Sequence, residues 1–279
     1  MDLHKPAAEI YVSDGSPAGE AVARATHIGI GAHPDYIEIM AYHGIAECYD
    51  DSNKGFMGVV VADGAGSPRD GAYADRTDAQ MREIRRAEQK KAAQIGHYVA
   101  QVLLDYPSAE VKNSANGNVI EDIAKLISAA RPEVVYTHNL ADKHDTHVAV
   151  ALRTIEAIRR LPQAVRPRRV YGCEVWRDLD WLDDDDKVAL DVSAYPDLAR
   201  ALLAAFDSQI SGGKRYDLAT LGRRHANATY MASHAVDTSS AVTFAMDLTP
   251  LIEDDSLDVG EYAQGFISRF GEDVDGRLR

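Results

Sequence analysis

Five short apolar runs, each separated from the next by at least one helix-patterned stretch, constrain this chain more than any other feature. THIGIGAH (26–33), FMGVVVAD (56–63), HYVAQVLLDYP (97–107), EVVYTHN (133–139) and RRVYGCEVW (168–176) have the length and β-branched content of buried strands. Between them, residues 37–49 read as a helix weakened by Gly44, and residues 78–96 as a helix acidic at its start and closed by Gly96. Residues 118–132 form an amphipathic pattern stopped by Pro132, and residues 148–161 are again helical. This alternation predicts an α/β fold: a Rossmann-like, mostly parallel sheet with helices on both faces. In such sheets ligands sit beyond the carboxyl ends of the strands.

Outside residues 26–176 the pattern is looser. Residues 1–24 are rich in Ala, Gly, Pro and Ser and read as an N-terminal arm or an added edge segment. Such an arm suits assembly, and a homo-oligomer is the expectation. Residues 25–279 read as one domain, less regular from about 177, with helices at 194–210 and 214–230, a strand at 242–248 and a last helix near 258–270. The acidic run Asp183–Asp186 reads as a solvated turn, because adjacent carboxylates rarely converge on one ion. At 279 residues and 46% apolar, the chain can bury a sizeable core. Its net charge of −14 repels phosphate backbones and anionic lipid, which argues against nucleic-acid and membrane partners. No apolar run approaches the roughly 18 residues of a membrane span. The first residues lack a basic stretch followed by an apolar one, so a cytoplasmic location is expected. Cys48 and Cys173 are far apart and suggest two free thiols, neither a disulfide framework nor a thiolate zinc site.

Two loops carry the chemistry. AHPD (32–35) and HNLADKHDTH (138–147) each follow a predicted strand, and in a parallel sheet both open on the same edge. Together they offer His33, Asp35, His138, Asp142, His144, Asp145 and His147. Imidazole and carboxylate are the donors that suit Zn²⁺ and related divalent ions. A single histidine at a strand end is ordinarily a hydrogen-bonding or exposed residue. Two such clusters on one edge make a metal site the better reading. A dinucleotide site is disfavoured, because GIGAHPD lacks the G-x-G-x-x-G turn and its His-Pro-Asp would obstruct a pyrophosphate.

In these motifs the chain resembles the PIG-L/LmbE-like N-acetylglucosaminyl deacetylases. Their A-H-P-D-D signature appears as AHPDYIE (32–38), and their T-H strand end with an H-x-D-H loop and helix appears as YTHNLADKHDTHVAVALRTIEAI. Their R-x-x-E-x-x-x-A-x-x-x-L-G helix corresponds to Arg85, Glu88, Ala92, Ile95 and Gly96, and their T-D-G to ADG (62–64). The resemblance spans about 26–175. It implies an LmbE-like fold and a metal-dependent hydrolase that removes an N-acyl group, acetyl first, from a small sugar-like substrate. It further implies His33 and His147 as ligands of a divalent metal, Zn²⁺ first, Asp35 as general base, and His144 as oxyanion stabiliser or proton donor. Arg85 would face the substrate, with Arg86 the alternative one register away. The departure is Tyr36, which stands where the family has its third ligand, an aspartate. Tyr36 as phenolate, or Asp145, Asp142, Glu38 or His144, could complete the site; of these Asp145 is the first substitute, and Glu38 matches a family glutamate that supports the ligands from behind. The alternative is a non-catalytic carbohydrate-binding or scaffolding protein with a degraded metal site. His225 and His234, late in the chain, could cap the site, but a structural role is favoured for both.

Overall fold

The computed structural model describes residues 1–279. Its strands are β1 (Glu9–Tyr11), β2 (His27–Gly31), β3 (Phe56–Ala62), β4 (Ala100–Tyr106), β5 (Val134–His138), β6 (Arg169–Cys173), β7 (Val188–Asp191) and β8 (Val242–Asp247). Its first six helices are α1 (Ala18–Ala23), α2 (Tyr36–Met40), α3 (Tyr42–Tyr49), α4 (Asp78–Ile95), α5 (Ser108–Lys112) and α6 (Gly117–Ala130). The remaining six are α7 (Asp145–Arg159), α8 (Pro196–Ala204), α9 (Asp207–Ile210), α10 (Tyr216–Tyr230), α11 (Pro250–Glu253) and α12 (Val259–Leu278).

The strands form one sheet in the order β1-β4-β3-β2-β5-β6-β8-β7. The block β4-β3-β2-β5-β6 is parallel. The edges are antiparallel: β1 on β4, β8 on β6 and β7 on β8. Every residue of β2, β3 and β4 is buried, as expected for a sheet covered on both faces. Helices α1, α5, α6, α7 and α11 pack together, and α2, α3, α4, α8, α9 and α10 form a second packed group. The chain leaves β2 for β3 and β4 on one side, then returns to β5 on the other. The neighbours β2 and β5 therefore flank the point where strand order reverses, which is where open α/β sheets bind ligands.

Several predicted elements shift. Segment 37–49 is two helices, α2 and α3, broken at Ala41. Gly44, which weakened that prediction, is required by packing: a Cβ there would lie 2.5 Å from Tyr136 Cε2 on β5. The third strand starts at Ala100 rather than 97, because Gly96 caps α4 and His97 turns with φ 54°. The helix expected over 194–210 is cut in two between α8 and α9. There Glu88 of α4 accepts from the Ser208 backbone N–H (2.7 Å) and hydroxyl (2.6 Å), holding the first turn of α9 from outside the local sequence. The last helix runs to Leu278, well past 270, and β7 is an added strand in a segment read as irregular. The arm supplies β1 and is tied to the body by His4, whose Nδ1 lies 2.7 Å from Asp122 Oδ1. Asp186 pairs with Arg269 at 2.7 Å and Asp184 with Lys187 at 2.8 Å.

Just past β6, Glu174 is 3% exposed, and burial pushes its carboxyl up to about 6 from 4.5. A raised folded-state value means the native state holds this proton more tightly than the unfolded chain does. The associated stability is complete below about 4.5 and is lost as pH rises to about 6. The loss is about 2 kcal/mol, from 1.36 kcal/mol per unit. Glu174→Gln removes it, so the variant's melting temperature relative to wild type should climb between pH 4.5 and 6.5 and then level off. A flat difference across that range would contradict the assignment.

Candidate active site

The AHPD loop leaves β2 and enters α2 through Asp35, whose φ of 86° lies in the left-handed region. A non-glycine residue held there is strained, and such strain persists where surrounding contacts over-determine it. Those contacts come from α4. Arg85 Nη2 donates to the Pro34 carbonyl (2.8 Å) and lies 3.2 Å from Asp35 Oδ1, while Nη1 donates to the Gly64 carbonyl (3.0 Å). Gln89 Oε1 accepts from the Asp35 N–H at 3.3 Å and its amide donates to Glu38 Oε1 at 2.8 Å. Asp35 is 2% exposed, and its Oδ2 has no partner. Burial lifts its carboxyl well above the usual range, against the pull of Arg85.

The second loop leaves β5 at His138 and enters α7. His138 Nε2 accepts from the Ala32 N–H at 2.8 Å, which ties the two loops together and places the His138 proton on Nδ1. Asp142 accepts backbone N–H bonds from His144 (3.1 Å) and Trp176 (3.2 Å), and its Oδ1 lies 3.4 Å from His147 Nδ1. Burial works to raise the Asp142 carboxyl, but His147 and the two N–H donors hold it below its ordinary value. Burial lowers the imidazoles of His33, His138 and His147, keeping them neutral. Neutral imidazole is the form that binds metal.

The loops converge. His33 and His147 have ring centroids 5.6 Å apart at 57°, and Tyr36 lies 5.4 Å from His33 and 4.6 Å from His147. His144 stacks on His147 at 4.7 Å and stands edge-on to His33 at 5.5 Å. His33 Nδ1 and His147 Nε2 are buried without hydrogen-bond partners, and His147 Nδ1 has only the 3.4 Å approach of Asp142 Oδ1. A cavity of about 260 Å³ opens onto this cluster, lined by His33, Tyr36, Arg85 and His144 with Trp176 and Tyr216, among others. Asp145 is exposed in the first turn of α7, and Arg86 turns away to Glu9 at 2.8 Å. His225 binds the Ser240 carbonyl at 2.7 Å and His234 is exposed; neither lines the cavity. Cys48 and Cys173 are buried free thiols.

Tyr36 is nearly buried, and its phenol oxygen accepts from the Trp176 indole N–H at 2.9 Å. Burial drives the phenol far above its ordinary value, so it stays protonated. Sequence reading missed Trp176 and Tyr216. Trp176 carried a usable signal, since it follows the carboxyl end of β6 on the same edge. Tyr216 comes from α10, which no strand-end rule would place there.

Residues 28–158 match the family model of PIG-L, the GlcNAc-PI de-N-acetylase family. No curated protein matches the chain. Among solved structures, the chain is similar to the 4-carboxy-2-hydroxymuconate hydratase GalB from Pseudomonas putida KT2440, with TM-score 0.60 and 18% identity over 80% of this chain and 96% of that one. It is similar to the N,N'-diacetylchitobiose deacetylase from Pyrococcus horikoshii, with TM-score 0.59 and 15% identity over 84% and 87%. It is also similar to the A40926 pseudoaglycone deacetylase Dbv21, with TM-score 0.56 and 17% identity over 80% and 97%. At these identities the likeness is one of fold, and a hydratase shares that fold with deacetylases. The matched segment carries both site loops and the α4 helix that braces them, so the likeness to the PIG-L family model lies where the candidate site is built.

Proposed function

We propose that the chain is a metal-dependent amide hydrolase that removes an N-acyl group, acetyl first, from an amino-sugar-like substrate. The observation that carries this reading is the convergence of the neutral imidazoles of His33 and His147 from two loops at the switch point of the sheet, with the buried, unpartnered Asp35 Oδ2 in the same AHPD loop as His33. The donor set fits a divalent ion. Two imidazoles sharing one tetrahedral ion, at ~2.0–2.1 Å per Zn–N bond, have ring centroids roughly 5 Å apart. The His33–His147 spacing of 5.6 Å is close to that. Stacked rings cannot aim their nitrogens at one point so readily, which disfavours His144 or His138 beside His147. The buried trio His138, Asp142 and His147 has metal-site spacing as well, but His138 Nε2 and the Asp142 oxygens already accept backbone N–H bonds.

His33 and His147 would hold the ion, and Asp142 orients His147 through Nδ1, leaving Nε2 free. When bound, such an ion supplies a Lewis acid that polarises the amide carbonyl and acidifies water. Asp35 Oδ2 accepts the proton of the attacking water, while Arg85 fixes the loop and the other carboxyl oxygen. His144, at the cavity wall, donates to the developing oxyanion or to the leaving amine. Trp176 and Tyr216 exclude water from one side. The test is release of free amine from N-acetylglucosamine and its glycosides by protein loaded with Zn²⁺; metal-bound protein that releases none from any of them overturns the reading.

Tyr36 offers a neutral oxygen where the resembling enzymes have a carboxylate. Tyr36→Asp should tighten Zn²⁺ binding by tenfold or more, measured against a competing chelator. Unchanged affinity would mean that the third donor is already anionic, as phenolate or as a carboxylate such as Asp145.

A further inference from the structure

Helix α9 and the chain that leads into α10 supply one wall of the active-site cavity, with Gln209, Lys214 and Tyr216. Gln209 is 4% exposed, and a line of hydrogen bonds that begins on α4 sets its orientation. Glu88 accepts from Ser208 twice, Oε1 from the backbone N–H and Oε2 from the hydroxyl at 2.6 Å. A carboxylate has no proton to give, so the hydroxyl proton of Ser208 is committed to Glu88. The Ser208 oxygen is then left to accept, and it does so from Gln209 Nε2 at 3.0 Å. This fixes which end of the Gln209 amide is which, a choice that the shape of the amide leaves open. The other end, Oε1, accepts from no group of the chain and is not sealed from solvent. With Gln209 on the cavity wall, Oε1 is an acceptor offered to whatever fills the cavity.

The neighbouring groups make that acceptor selective. Arg85 and Lys214, on the same cavity, have donors and no acceptor atom. The Trp176 N–H is already given to Tyr36. A purely accepting group would be repelled by Gln209 Oε1, whereas a ring hydroxyl donates to it. A site that holds an acceptor for a substrate hydroxyl rejects the analogue lacking it, because the acceptor is then left unpaired. We propose that Gln209 is a specificity-determining residue whose Oε1 takes a hydrogen bond from one hydroxyl of the substrate ring. Glu88, acting through Ser208, is the positioning residue that decides which end of the Gln209 amide meets the substrate. The choice of a sugar-like ring rests on the hydrolase reading above.

The experiment uses Zn²⁺-loaded protein and measures binding of N-acetylglucosamine and of its monodeoxy and monodeoxyfluoro analogues at each ring hydroxyl. Tryptophan fluorescence reads binding, and amine release is followed in parallel. In wild type, one deoxy analogue should bind tenfold or more weakly than the parent sugar. The fluoro analogue at the same position should be as weak, because fluorine cannot donate. Gln209→Met removes the acceptor and should bring the parent and that deoxy analogue to nearly equal affinity. Glu88→Gln should reverse the line of hydrogen bonds. The new amide turns its oxygen to the Ser208 N–H and its NH₂ to the Ser208 oxygen, so Ser208 donates to Gln209 and Gln209 presents Nε2 to the cavity. In that variant the fluoro analogue should bind more tightly than the deoxy one, a reversal that a merely structural Glu88 would not produce. Thermal melts check that both variants fold; if Gln209→Met does not, the reversal in Glu88→Gln decides alone. Wild type that binds the parent sugar and treats every deoxy analogue alike, or a discrimination that survives Gln209→Met, overturns the role of Gln209. An unreversed preference in Glu88→Gln overturns the role of Glu88. Discrimination without amine release from any sugar upholds Gln209 and sinks the hydrolase reading; amine release without discrimination does the reverse. Binding of none of the sugars overturns both.

Discussion

Asp35→Asn should lower amide hydrolysis by about 10²–10⁴, the usual contribution of one positioned base. The substitution keeps the shape of the side chain and its contact with Arg85, so the loop and the two imidazoles stay in place. Metal content, measured by elemental analysis on the same preparation, should remain near that of wild type. This combination separates a base from a ligand: a rate loss accompanied by loss of metal would reassign Asp35 to the metal, and turnover near wild type would remove it from the mechanism.

Removing either imidazole has the other large effect. His33→Ala and His147→Ala should each abolish metal retention, and with it all metal-dependent turnover. The two side chains come from different loops with the right spacing and have no other hydrogen-bond partner for the nitrogens in question. Asp142→Asn should be milder, costing 10–100-fold in affinity, because it removes only the group that orients His147. Unchanged metal content in the His33 variant would show that the ion sits elsewhere, with the trio His138, Asp142 and His147 the first alternative.

The parallel core and the edge that carries the site were legible in the sequence, because both follow from local pattern. β2 and β5 are short apolar runs, and a parallel sheet sends every strand end to one edge. That alone brought AHPD and HNLADKHDTH together as candidates. The helix with Arg85 and Glu88 was equally visible from its composition and its Gly96 stop.

Only tertiary structure decided how those residues are used. Arg85, expected to face substrate, lines the cavity, and its Nη groups also hold the Pro34 and Gly64 carbonyls and touch Asp35, a brace formed by residues dozens of positions apart. Asp145 is exposed in the first turn of α7, while Asp142, in the loop before that helix, turns inward to His147 and is held by the backbone N–H groups of His144 and Trp176. The break between α8 and α9 depends on Glu88, more than a hundred residues earlier. β7 is too short to announce itself and exists by pairing with β8. Local periodicity fixes which segments become strands and helices, because each residue there responds to its near neighbours. Which side chains are left without partners depends on contacts between distant segments, and those open valences define the candidate site.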